Sequence, residues 1–270
     1  GGLGIGLSYV GGPVDVRLDP EAFLHVLLPL LIFCAARESS LPALRTNLRP
    51  VLWLAFGHVV FITLLVGWAV HAVAPAVPLP VAFALGAVVS PPDAIAATAI
   101  ARRVGLSRRT VSVLEGESLL NDATALVLLR VAVAVVAGAA VSLAEIGLAL
   151  VYAAVSGVLV GAVLGWAVAW LHERIEDPLL NNTLSILTPF LVFLPAEYVD
   201  SSGVVAVVVA ALYTAHRRVS GISAASRLQM DAFWRVVQFL LEGSVFVLVG
   251  LQIRVVLDAL LGDDEPVLLV

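Results

Sequence analysis

Apolar runs long enough to cross a bilayer recur along almost the whole chain, and this feature decides which folds are open to it. A span needs about 20 apolar residues, fewer where neighbouring protein shields the helix. Such runs lie near 22–36, 51–73, 79–101, 110–137, 143–171, 180–199, 203–216 and 236–252, and residues 1–12 read as the trailing end of a further helix. Within hydrocarbon each backbone amide must be satisfied inside its own segment, so runs of this length fold as helices. With 61% hydrophobic and 13% charged residues, the chain could not wet the surface of a soluble globule. The predicted fold is an all-α polytopic membrane protein. Residues 1–270 are expected to form a single transmembrane domain, cut from a longer transporter-like chain and truncated at both ends.

Loop charge tests this division, because cytoplasmic loops carry the Arg excess. Arg37, Arg45 and Arg49 share one loop, 73–79 is uncharged, and Arg102, Arg103, Arg108 and Arg109 fill the next. Residues 138–141 are uncharged, Glu173 and Arg174 make a mixed loop, and 199–202 carries only Asp200. Arg217, Arg218 and Arg227 follow, and the last loop is acidic. Basic and non-basic loops alternate, which places Arg102 to Arg109 in the cytoplasm.

Several functions are excluded on composition. The net charge of -5 and the scattered Arg residues offer no footprint for nucleic acid. Cys34 is the single cysteine, so no intrachain disulfide forms, and no Cys/His spacing suits a zinc site. No nucleophile and base are paired as an enzyme would need. No cofactor is expected. The five His residues fall mostly near span ends and read as interfacial or packed. Gly157, Gly161 and Gly165 form a small-residue stripe that lets another helix approach closely, in this chain or in a second subunit.

The span 79–101 is interrupted by Ser90-Pro91-Pro92-Asp93 close to mid-membrane. Two adjacent prolines remove two amide donors, so the carbonyls of Ala87 and Val88 lose their partners and the helix breaks. Ser90 is suited to cap the second half, with Pro91 at its first helical position and Asp93 at the third. Asp93 then has two readings: it ties off a helix end, or it touches a transported ion. Discontinuous helices at the midplane are a way for secondary transporters to present backbone carbonyls to ions.

The next span holds Leu114-Glu-Gly-Glu-Ser-Leu-Leu-Asn-Asp-Ala-Thr-Ala-Leu126. An Asp near the membrane centre costs roughly 2.5–3.5 kcal/mol on insertion scales, so Asp122 is a functional candidate. Its depth matches that of the break. Glu115, Ser118 and Asp122 share one helical face, while Glu117, Asn121 and Thr124 form another. Glu117 points about 140° away from Asp122, so the two do not share an ion. A partner is needed for Glu117, but no Arg lies at matching depth. Arg130 is about 12 Å beyond Asp122 along the axis, too far to pair with it and near enough to the outer interface to snorkel.

These runs, with Leu28-Pro29 to Phe33, Ala196-Glu197 and Ser202-Gly203 to Val207, resemble the monovalent cation:proton antiporter-1 family, the bacterial sodium/proton exchangers. The Glu-Gly-Glu-Ser-x-x-Asn-Asp motif is specific to it. The resemblance implies a sodium/proton antiporter-like helical bundle with a discontinuous helix and an incomplete inverted repeat. It implies a homodimer in the full-length protein, alternating access, and residence in the bacterial cell membrane. By position Asp122 is the ion-binding aspartate and Asn121 the asparagine before it. Ser118 is a cation ligand, so Asp122 and Ser118 would hold transported Na+. Asp93 is the carboxylate of the unwound helix, and Glu117 the structural partner of an arginine on a later helix. Three positions depart from the pattern: Pro92 replaces a common Thr, Ala94 a common Pro, and Cys34 an acid found in several members.

The expected activity is exchange of Na+, or of Li+ or K+, against H+ by competition at Asp122, the partners being lipid, monovalent cations and protons. The alternative is a proton-coupled symporter of a small organic solute. Such a protein would want a roomy pocket with aromatic and hydrogen-bonding side chains near midplane, whereas 79–101 and 110–137 are dominated by Ala, Val and Leu.

Overall fold

A computed structural model describes residues 20–261 apart from Ser40, Asp93, Glu176, Ile222 and Ser223. Among the described residues the chain is helical and has no strand. In order the helices are α1 (Pro20–Glu38), α2 (Leu41–Thr46), α3 (Leu48–Leu52), a π-helical turn (Trp53–His58), α4 (Val59–Val73), α5 (Leu79–Val89), α6 (Ala94–Arg103), α7 (Arg108–Val136), α8 (Leu143–His172), α9 (Pro178–Tyr198), α10 (Gly203–Gly221) and α11 (Ala224–Leu261).

Five stretches among the described residues are long and apolar enough to cross a membrane: Leu48–Val73, Arg108–Val136, Ala144–His172, Leu179–Tyr198 and Leu228–Gln252. Leu79–Val89 and Gly203–Arg217 are shorter apolar helices. The second of these is sheathed by protein, for Val204 to Val208 and Ala210 to Leu212 are all buried. That shielding is what allows a span below 20 residues. The protein is a multi-pass membrane protein. The expected stub at 1–12 lies outside the described residues.

Local chemistry sets the helix ends. Gly105 takes φ 75 just past α6, a left-handed conformation that glycine adopts without strain. Ser107 then accepts the Thr110 amide at 3.2 Å and starts α7. Ser142 and Glu145 form a reciprocal capping box at α8, and Asp177 accepts the Leu179 amide at 2.7 Å to start α9 behind Pro178.

The chain divides into two compact units, Ile32–Ser223 and the pair Gly1–Leu31 with Ala224–Val270. The second unit contains the beginning of α1 and all of α11. The first contains every described candidate residue, and α7 is its hub: α2, α3, the π turn, α4, α5, α6, α8 and α10 all pack on it.

Glycines set the closest approaches. A Cβ at Gly116 would stand 2.6 Å from Leu44 Cδ1 and 2.9 Å from Val51 Cγ2, so α7 lies tight against α2 and α3. At Gly86 it would meet the Thr63 carbonyl oxygen at 2.5 Å, closing α5 on α4. The stripe of α8 finds its neighbour in the same chain. Cβ atoms at Gly157, Gly161 and Gly165 would meet Ser202 O at 2.9 Å, Ala206 O at 2.4 Å and Ala210 Cα at 2.8 Å, all in or just before α10.

Candidate functional site

The interruption between α5 and α6 falls where two prolines follow one another. Ser90 is buried and its backbone is still right-handed helical, with φ -68 and ψ -33. Its Oγ donates to the Ala87 carbonyl at 2.9 Å. This is the carbonyl that Pro91, lacking an amide proton, cannot serve. The expectation that Ser90 caps the second half and Pro91 opens it is therefore corrected. Ser90 closes the first half, and the second starts at Ala94. The Ser90 hydroxyl turns back to the Ala87 carbonyl rather than forward, and the helix resumes only at Ala94. Asp93 lies outside the described residues.

Both halves of the broken helix pack on α7. There Asn121 is fully buried, and neither its Nδ2 nor its Oδ1 has a hydrogen-bond partner among the described residues. Buried side-chain amides are nearly always satisfied, so this one calls for an explanation. Asp122, the next residue, is half-buried, and its carboxylate has no hydrogen bond or ion pair with the described residues. One turn earlier Ser118 is half-buried and donates to the Leu114 carbonyl at 3.0 Å, which leaves its oxygen lone pairs able to accept or to ligate. Among the described residues no three His, Cys, Asp or Glu side chains form a metal cluster. Ser118, Asn121 and Asp122 each carry an oxygen donor, a ligand type that hard cations prefer and soft transition metals do not.

Glu117 is buried, on a different face of α7. Its Oε1 lies 3.5 Å from His58 Nδ1, and His58 closes the π turn of the preceding span. Sequence reasoning looked for an Arg and placed the histidines mostly near span ends. His58 instead sits well inside Leu48–Val73. A lone His within an apolar run was the available signal, but a π turn moves the face of every residue after it, and hydropathy does not reveal that rotation.

At the other end of α7, Arg130 Nη2 donates to Glu197 Oε2 at 2.5 Å. The Glu197 Oε1 atom accepts the Gly203 amide at 3.0 Å. Arg130 is thus held by the corner between α9 and α10, while its side chain remains 59% exposed. A cavity of ≈ 400 Å³ opens beside this pair. Cys34 is buried in the Ile32–Ser223 unit.

Comparison with known proteins shows the family. Residues 1–267 match the family model described as sodium/hydrogen exchanger, transmembrane. An uncharacterized Na+/H+ exchanger of Mycobacterium tuberculosis is 41% identical over 93% of this chain and 46% of its own length. A sodium, potassium, lithium and rubidium/H+ antiporter of Bacillus subtilis is 33% identical over 97% of this chain and 40% of its own length. The chain thus spans less than half the length of these relatives. The sodium proton antiporter MjNhaP1 of Methanocaldococcus jannaschii, solved at pH 8, superimposes with a TM-score of 0.65 at 18% identity, over 92% of this chain and 63% of that one. That likeness fixes the fold as the antiporter-like helical bundle.

Proposed function

Since this chain belongs to the sodium/hydrogen exchanger family, a family of membrane transporters, we propose that the whole protein exchanges a monovalent cation for H+ across the bacterial cell membrane, with Asp122 as the shared site. The cation is Na+, with Li+ and K+ as further candidates, in keeping with the ion names carried by the Bacillus subtilis relative. Asp122 and Ser118 ligate the cation, Asn121 supplies amide polarity beside them, and Asp93 is a further candidate ligand by its place in the sequence. Glu117, Ser90, Pro91 and Pro92 hold the site in shape. The full-length protein acts as a homodimer and needs no cofactor beyond the ions it carries.

The observation that carries this reading is the pair Asn121 and Asp122. One is fully buried with both amide atoms unpartnered, the other a carboxylate without an ion pair among the described residues. A bare carboxylate is costly to hold in a low-dielectric site, so Asp122 is occupied by a proton or by a cation and releases one on taking the other. That exclusivity couples the two fluxes. Rocking of the helices that bear the site then exposes it to each side in turn.

The test is an Asp122→Asn variant of the full-length protein in proteoliposomes with a pH-sensitive dye. Cation-driven proton movement is expected to stop. Movement at the wild-type rate would remove the assignment.

A further inference from the structure

α2 and α3 run on into the π turn almost as one helix, since the Asn47 amide donates to Ala43 O at 3.2 Å and the Val51 amide to Asn47 O at 3.1 Å. One side of this helix is turned to α7. Leu44 and Val51 close on Gly116, and Asn47 Oδ1 accepts from Arg109 Nε at 3.1 Å. At 100° per residue Arg45, Arg49 and Trp53 follow the opposite side, each four residues from the last. All three are exposed, Trp53 to 78%, and Leu48 and Leu52 beside them are exposed as well.

Neither guanidinium has a hydrogen bond or ion pair with the described residues. The surrounding sequence offers no acid to neutralise them, for from Ser39 to Leu114 the sole carboxylate is Asp93, in the break between α5 and α6. Two uncompensated positive charges therefore stand at the head of the Leu48–Val73 span, with an exposed indole one turn further in. On the loop-charge reading this is the cytoplasmic end. Orientation in the membrane asks only that arginines be present in the loop. It does not ask that two of them line up above a tryptophan, on the side of the helix that α7 leaves bare.

We propose that Arg45 and Arg49 hold the headgroup of an anionic phospholipid of the cytoplasmic leaflet, with the upper part of its acyl chains along Leu52 and Trp53. The phosphate meets two guanidinium donors, and the chains meet the apolar residues below them. A zwitterionic headgroup brings a cation of its own and gains less from the same two charges. Each arginine near a surface bearing anionic lipid is worth about a five-fold change in binding, so the pair gives a preference of about 25-fold. The site stands apart from Asp122 and does not depend on the reading of that residue.

The experiment uses the full-length protein in phosphatidylcholine bilayers, with phosphatidylglycerol or phosphatidylcholine carrying brominated acyl chains added as a quencher of indole fluorescence. The Trp53 signal is the difference from a Trp53→Phe variant. Brominated phosphatidylglycerol is expected to quench Trp53 at a mole fraction about 25-fold below that needed with brominated phosphatidylcholine. Arg45→Gln and Arg49→Gln are each expected to cut this preference to about five-fold, and the double variant to abolish it. Arg45→Lys with Arg49→Lys keeps both charges and retains it. The wild-type comparison of the two lipids decides the matter even where an arginine variant fails to fold. Equal quenching by the two lipids in the wild type, or a preference that survives in the double glutamine variant, overturns the proposal. So does an absence of quenching by either lipid, which would mean that another protein segment covers this face. Excess inorganic phosphate is expected to change nothing. Relief of the quenching by phosphate would assign the arginines to a soluble anion and overturns the proposal too.

Discussion

The hydroxyl of Ser90 donates to the Ala87 carbonyl at 2.9 Å, returning to that oxygen the partner that Pro91 withholds. The break in the helix is thereby closed on one side with a single side chain. The second proline frees the Val88 carbonyl in the same way, so the interruption still leaves backbone polarity to present in the membrane.

Ser90→Ala removes the only side-chain donor seen on Ala87 O among the described residues. A buried carbonyl left unpartnered costs about 1–3 kcal/mol. The expected outcome is a lower Tm for the full-length protein in detergent, with exchange reduced in parallel. An unchanged Tm would mean that another group serves this carbonyl.

Asn121→Ala should separate stability from transport. Because neither amide atom is hydrogen-bonded, the protein loses little or no Tm. If the amide instead meets the ion or its water, exchange falls by about 10-fold or more, as expected for losing one hydrogen bond to a charged group. Loss of folding with no specific loss of turnover would assign Asn121 to packing.

Gly161→Leu in α8 should be among the most damaging changes outside the site. Its Cβ alone would stand 2.4 Å from the Ala206 carbonyl oxygen, which is backbone and cannot swing aside. Overpacking of this kind costs about 1–3 kcal/mol or more. Gly147→Ala in the same helix meets nothing within 4 Å and serves as the tolerated control. Equal melting of the two variants would contradict the α8–α10 contact.

His58 and Glu117 should be energetically coupled. A double-mutant cycle of His58→Ala and Glu117→Gln is expected to show an interaction of about 0.5–3 kcal/mol in thermal or denaturant stability. Strict additivity would mean that their 3.5 Å separation carries no energy.

How much of this was readable in advance differs from residue to residue. Helices cover the expected spans because a bilayer forces each segment to satisfy its own amides, but their ends were not legible: α11 runs Ala224–Leu261 where 236–252 was expected, and α2 and α3 occupy an expected loop. The break at Pro91 and Pro92 was equally plain, since proline acts on the local backbone. Which way Ser90 turned was not, because a serine hydroxyl can serve the helix before it or the helix after it. The motif around Asp122 could be recognised, but the burial of Asn121 without a partner could not.

By itself the sequence determined what is local: where the chain must be helical, where it cannot continue as a helix, and which carboxylate stands alone in an apolar run. Tertiary structure alone decided which polar groups meet. Arg130 reaches Glu197 across 67 residues, Glu117 faces His58, and the glycine stripe receives α10 of its own chain. These pairings depend on the rotation and neighbours of each helix, and hydropathy, which sets only depth and length, is silent about both.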